Sequence, residues 1–415
     1  MKTGISAEAA KFICFAVCLI VAIFYLCYLA AYTLLMISIH TDPHSRMLAI
    51  THELPQSDFA RLWYEGKILV AQRIETLGQV FPNSPWFKSP PTINFPAADP
   101  HPAAGWLYPP TMGLLAILFS FMPLALSYWV WRGATLAIAA ICLRRAGLGW
   151  LVIAAGLACP GEIYDVTLGQ NGALTAGLFV SALLLLDAEP GFGALAGLLC
   201  IKPQIALAFP LILLRRRRFK ALLWCLGTAT AIILLSLVIE GRSAWITFFA
   251  VSQPTSARIM NAPLGQLAPG GFTVLMMART FHATVSEAWM IQAICSAISG
   301  FSIWRIWREP TEDAVGRMAL TVCLSVLITP YGFLYDLISF SIAMAAMFAR
   351  SSARERPIYA VLWLLSGYTG TLANLTGFVL MPIPAAIAAW LVWRQIKGKF
   401  SESLAGKPMM SVAAN

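Results

Sequence analysis

Long apolar runs alternate with short polar breaks along almost the whole chain. As a helix, a run of about 20 apolar residues crosses the ~30 Å hydrocarbon core of a bilayer. Runs near that length lie at 12–39, 125–143, 147–163, 170–187, 221–240, 284–304, 314–330, 335–349, 357–373 and 376–395. Two others do not fit a single crossing. Residues 110–122, after Tyr108-Pro109-Pro110, would span only about 18 Å. Gly191–Leu214 breaks at Lys202-Pro203, so it reads as two short helices, the second opened by Pro203, a residue that suits a first helical turn. The pattern predicts an all-α polytopic membrane protein, one domain over 1–415, with about 10–12 membrane helices. The longest polar stretch, 40–108, reads as a loop with interfacial helices, and 396–415 as a tail.

Composition agrees. Of 415 residues, 59% are hydrophobic and 12% charged, where a soluble domain averages about 25% charged; mean hydropathy is +0.73. The nine cysteines all fall in apolar runs and read as small core residues, not as a disulfide or zinc framework. The first run is far longer than the 7–15-residue core of a signal peptide, which predicts an uncleaved helix. No P-loop, dinucleotide glycine pattern or metal-ligand spacing is found, so no cofactor, metal or nucleic acid is expected.

Charge then sets sides. Basic residues cluster at Lys2/Lys11, Arg144-Arg145, Arg215–Arg218 with Lys220, Arg305/Arg308/Arg317, Arg350/Arg354/Arg356 and Arg394/Lys397/Lys399/Lys407, together 19 of 29. The positive-inside rule puts all of these in the cytoplasm. The 40–108 loop has five basic and six acidic residues, as expected outside. For Arg144-Arg145 to be inside, 110–122 must not cross. For Arg215–Arg218 to be inside, Gly191–Leu214 must be a hairpin that raises Lys202 towards the outer face. Five places then share that face: the first loop, Gly161–Asn171, Lys202, residues 241–283 and Thr329–Asp336.

The unusual polar residues fall in those places. Asp58 lies in Ser57-Asp58-Phe59-Ala60-Arg61-Leu62-Trp63-Tyr64. A carboxylate beside apolar walls suits a general base; a cap on a helix beginning at Phe59 is the alternative, and the residues leave both open. Arg61 could meet an anionic phosphate or face solvent, as could Lys67. Tyr108 ends a segment with nine prolines in residues 81–110, a stiff wall that also holds His101 as a lining residue. Gln170 and Asn171 suit sugar hydroxyls, or, for Asn171, a helix cap. Lys202, an ionisable residue between Ile201 and Pro203 in apolar sequence, is costly enough to imply a function. Its partner is either a lipid phosphate or an intramembrane carboxylate. Tyr331, Tyr335 and Asp336, in Thr329-Pro330-Tyr331-Gly332-Phe333-Leu334-Tyr335-Asp336, could line a sugar or lipid site; aromatic anchoring is the alternative for the tyrosines. Arg242, Arg258 and His282 are further candidates in or near 241–283.

The order of Asp58-Phe59, Tyr108-Pro109-Pro110, Gly169-Gln170-Asn171, Gly197-Leu198-Leu199 with Lys202-Pro203-Gln204, and Arg215–Arg218 resembles glycosyltransferase family 87. The resemblance is clearest over about residues 55–225. It implies a GT-C-type helical bundle that uses polyprenyl-phosphate sugars, typically mannose, in an inverting transfer at the outer face. It maps the base onto Asp58 and a lysine near the lipid phosphate onto Lys202. Phe59 follows Asp58 where some GT-C enzymes carry a second acidic residue, so a metal-dependent mechanism is not implied. The expected enzyme is a hexosyltransferase of a bacterial inner (plasma) membrane, with a polyprenyl-phosphate sugar donor and a lipid or glycan acceptor. A lipid or small-molecule transporter or flippase is the rival from another class. Transporters show matched broken helices in two halves, and no internal similarity accompanies the breaks here. An O-antigen-ligase-like enzyme would carry its main catalytic loop later in the chain.

Overall fold

The computed structural model describes residues 57–80, 107–262, 270–308 and 313–405. The predicted first helix, His101 with most of the proline-rich wall, and the end of the tail lie outside these residues. Every regular element among the described residues is helical, as the apolar pattern predicts.

α1 (Ser57–Val80) is the first described helix, and α2 (Pro110–Ser120) follows the Pro-Pro pair. Eleven residues give α2 about 16 Å, too short to cross, as the charge argument requires. The two pack so closely that a Cβ on Gly66 would lie 2.1 Å from the Ala116 carbonyl. α3 (Leu124–Arg145) comes next and is long and apolar enough to cross. The predicted 147–163 span is instead α4 (Trp150–Leu157) and α5 (Pro160–Leu168), bent by 58°. Pro160 is the cause, since its ring cannot continue a helix interior but fits a first turn. α6 (Gly172–Leu184) is buried along almost its whole length.

The hairpin follows. α7 (Glu189–Leu198) runs into a short turn at Leu199–Ile201, breaks at Lys202 (φ −148°, ψ 70°) and resumes through Pro203–Leu207 into α8 (Ala208–Arg216). Its two ends meet: Arg218 bonds Asp187 at 2.6 Å and Glu189 at 3.0 Å. The segment therefore returns to the side from which it started, with Lys202 at its far end. α7 packs on α9 (Phe219–Ile239) through Gly193 and Gly197, a small-xxx-small face that lets backbones approach.

The 241–283 segment, expected as a loop, contains α10 (Arg242–Thr247), a π turn at Phe248–Ser252, α11 (Gln253–Met260) and α12 (Val274–Thr280). α13 (Val285–Ile306) and α14 (Ala314–Ile328) precede the irregular stretch 329–333. A short turn at Leu334–Leu337 then leads into α15 (Ile338–Arg350), followed by α16 (Arg356–Thr376) and α17 (Pro382–Ala405). α6, α14 and α15 form the centre of the core. α9 keeps Leu223, Trp224, Leu234 and Val238 exposed, and α13 keeps Met290, Ile294 and Ile298 exposed. Helices apolar on their outward faces are solvated by lipid. Among the described residues two helices, α3 and α9, are long and apolar enough to cross alone, and the bent α4–α5 pair is a third candidate. Others are shorter or more polar: α13 has the length but carries Ser286, Gln292, Ser296, Ser299 and Ser302. Such polar positions are tolerated because they bond inside the bundle, as Gln292 does to the Leu327 and Ile328 carbonyls.

A Cβ on Gly193 would lie 2.4 Å from Trp224 and 2.5 Å from the Ala221 carbonyl. Gly193→Val is expected to cost about 1–3 kcal/mol by overpacking, read as a lowered melting temperature in detergent. An unchanged melt would show that α7 and α9 are not in backbone contact there.

Candidate functional site

The site is built on the turn between α5 and α6. α5 ends at Gly169, whose left-handed φ of +68° favours glycine. Asp165 then bends back to cap the next helix: Oδ1 accepts from the Gly172 N–H at 2.7 Å and Oδ2 from the Ala173 N–H at 3.2 Å. Behind it stands Arg132 of α3, which donates through Nη1 to Asp165 at 2.7 Å and through Nη2 to Glu162. Trp131 donates from Nε1 to the Gly169 carbonyl at 3.1 Å and the Gln170 carbonyl at 3.2 Å. The Tyr128 hydroxyl donates to the Val166 carbonyl at 2.9 Å. All five side chains are buried, so the turn is held from behind by donors with no water to compete.

That turn receives α1. Phe59 packs edge-on to Tyr128 with centroids 5.3 Å apart, and against Trp131. A Cβ at residue 169 would lie 2.3 Å from the Phe59 Cβ, so glycine is required there for packing as well as for φ. Asp58 is thereby placed beside Gln170, whose Nε2 donates to its Oδ2 at 2.7 Å. Gln170 Oε1 accepts in turn from the Tyr108 hydroxyl. The helix starts at Ser57, so Asp58 lies in its first turn and does not cap a helix at Phe59.

On the other flank is Lys202. Its Nζ donates to Asp336 Oδ1 and, at 3.1 Å, to Asn171 Oδ1. It lies 4.5 Å from the Tyr335 ring centroid and 5.9 Å from that of Tyr108. The alternative of a carboxylate partner is therefore realised in this state. Asn171 makes no side-chain cap on α6; Asp165 has that task. Asp336 also accepts from the Phe333 N–H at 3.2 Å. The 329–336 junction is clipped to 270–272 by bonds from Leu334 N–H to the Gly270 carbonyl (2.9 Å) and from Phe272 N–H to the Gly332 carbonyl (3.3 Å). Tyr331 and Asp336 share a narrow groove with Gln204, Leu207, Val322 and Val326.

Thus Asp58, Tyr108, Gln170, Asn171, Lys202, Tyr335 and Asp336 form one connected cluster. Tyr331 is joined to it through Phe333, which contacts both Tyr331 and Tyr335. Arg61 is half-buried on α1, and its charge acts on Glu65. Arg242, Arg258 and His282 are exposed. Sequence reasoning missed Arg132, Trp131 and Tyr128. An arginine inside the 125–143 run is the same signal that singled out Lys202.

α1 also carries Glu65. Burial pushes its carboxyl up to about 7, opposed by the Arg61 charge. Glu240, just beyond α9 and against Gly113, is pushed to about 8 by burial and by Glu65. Both folded values exceed the ordinary carboxylate value, so the protonated forms favour docking. That stabilisation is complete below about pH 4.5 and is lost as pH rises through about 7 to 8. Hydrogen exchange of α1 backbone amides is expected to accelerate across this window. Glu240→Gln should flatten the change; an α1 protection independent of pH would contradict the assignment. Separately, Arg132→Met strands two buried carboxylates and is expected to cost about 3–5 kcal/mol, measured by thermal melting. A loss below about 1 kcal/mol would remove Arg132 from the frame of the turn.

The sequence model of glycosyltransferase family 87 matches residues 106–330, more than half of the chain. The match includes Tyr108, Arg132, Gln170, Asn171 and Lys202, and leaves Asp58 and Tyr331–Asp336 on either side. No curated protein and no solved structure matches the chain. The chain belongs to glycosyltransferase family 87.

Proposed function

We propose that this glycosyltransferase moves a hexose, mannose, from a polyprenyl-phosphate donor to a hydroxyl of a lipid or glycan acceptor, with inversion, at the outer face of a bacterial plasma membrane. The observation that carries the proposal is the pairing of a carboxylate and a buried ammonium across one cluster, with Tyr108, Gln170 and Asn171 between them. Those three side chains offer donors and acceptors in both directions, which suits sugar hydroxyls. The apolar flank of the groove at Val322, Val326 and Leu207, beside Asp336, suits the lipid of the donor. Membership in a glycosyltransferase family sets the transporter reading aside.

In the proposed reaction Asp58 takes the proton of the acceptor hydroxyl, and the acceptor oxygen bonds to the anomeric carbon. The bond from that carbon to the phosphate oxygen breaks, and its electron pair leaves with polyprenyl phosphate. Gln170 holds Oδ2 of Asp58 and so aims Oδ1. An ammonium has three N–H donors. Asp336 and Asn171 take two on Lys202, and the third serves the leaving phosphate, whose charge rises during transfer. The Asp336 carboxylate keeps the Lys202 side chain aimed at the cluster. Arg61 is a second candidate for phosphate contact, and His101 for lining.

The test is transfer by purified protein in nanodiscs, with radiolabelled polyprenyl-phosphate mannose and a membrane-lipid extract. Asp58→Asn is expected to lower the rate by about 10²–10⁴-fold, the usual worth of a general base. Lys202→Met is expected to weaken donor dependence. Transfer by Asp58→Asn within a few-fold of wild type would overturn the base assignment. No transfer from the mannose donor, with transfer from another lipid-linked sugar, would overturn the sugar.

A further inference from the structure

The basic end of the molecule, opposite the Lys202 tip of the hairpin, holds a second cavity that the transfer reaction does not use. It is a groove of about 340 Å³, inside the ~300–1,000 Å³ range of small-molecule sites. α13 and α17 both pack on α14, and the groove lies between them with Leu320 and Leu324 of α14 as its floor. Phe301 forms one wall, and the indoles of Trp390 and Trp393 form the other. All three aromatics are strongly exposed. In a membrane protein, indoles at this level mark the headgroup boundary.

Charge identifies the occupant. Arg305 of α13 and Lys397 of α17 line the same groove from its two sides, and its lining contains no carboxylate. Among the described residues neither cation forms an ion pair, whereas Asp313 is engaged by Arg350 and Glu355 accepts from the Ser352 hydroxyl. Lys397 folds over Trp393, 4.6 Å from its ring centroid, which keeps its ammonium at the tryptophan wall. Among the described residues, two cations thus face one apolar cleft whose lining holds no carboxylate to answer them.

We infer that this groove binds one anionic phospholipid of the cytoplasmic leaflet, with its phosphate between Arg305 and Lys397 and an acyl chain along Leu320 and Leu324. Basic pockets between membrane helices on the cytoplasmic side are suited to such headgroups. The lipid would fill the space that α13 and α17 leave open over α14. The inference does not depend on the identity of the sugar donor.

Native mass spectrometry of the full-length protein in detergent tests this, with added phosphatidylglycerol or phosphatidylcholine as the probe. Wild type is expected to retain one phosphatidylglycerol per chain and not phosphatidylcholine. Arg305→Ala with Lys397→Ala should weaken retention roughly thirtyfold, the combined effect of two basic contacts. Arg305→Lys with Lys397→Arg should keep it. Arg145→Ala with Arg354→Ala removes two exposed cations that do not line the groove, and should leave binding unchanged. Melting temperatures of all variants in phosphatidylcholine report whether the fold is intact. Equal retention of the two lipids, retention of neither, or an equal loss in the Arg145/Arg354 variant would overturn the inference.

Discussion

A charge inside an apolar bundle must find an opposite charge or hydrogen-bond partners, because leaving it alone costs far more than any single contact returns. Lys202 meets that demand through Asp336 and Asn171. These three residues lie on three separate irregular segments: the hairpin tip, the start of α6, and the junction before α15. Irregular backbone is tolerated at membrane depth only where protein or a polar cavity surrounds it. The ion pair therefore fixes where three helix breaks can sit relative to one another. A buried pair is weak evidence for stability; here its consequence is register.

A second buried charge group works behind the first. Arg132 holds Glu162 and Asp165, and Asp165 caps α6, so the positions of Gln170 and Asn171 follow from a salt bridge that faces away from the site. Gln170 then fixes Asp58 and Tyr108, while Asn171 fixes Lys202. One turn thus connects a carboxylate on one flank to an ammonium on the other. For a transfer that removes a proton at one end and releases a phosphate at the other, this is the required polarity.

Much of this was legible in the sequence, for identifiable reasons. The lengths of apolar runs predict helices, and counting Lys and Arg by side predicts that α2 does not cross and that 191–214 turns back at Lys202. The Arg218 contacts to Asp187 and Glu189 show that return directly. The unusual polar residues were legible because hydrocarbon penalises them. What the sequence did not reveal was pairing. Nothing in the spacing of Lys202 and Asp336, or of Arg132 and Glu162, says which will meet, since those contacts depend on helix packing. The bend at Pro160 and the helices within 241–283 were missed because a strongly apolar run hides one break, and a mixed segment hides short helices. The Gly193/Gly197 face was readable, but its partner α9 was not.

If Asp58 and Lys202 serve one reaction, they must face the two ends of one bound donor. A cryo-electron microscopy structure with a non-transferable phosphonate analogue of polyprenyl-phosphate mannose decides the matter. The expected density places the phosphonate against Lys202 and the sugar between Tyr108, Gln170 and Asn171, with its anomeric carbon turned towards Asp58. A phosphonate seated instead at Arg242 or Arg258, with the sugar out of reach of Asp58, would refute that arrangement.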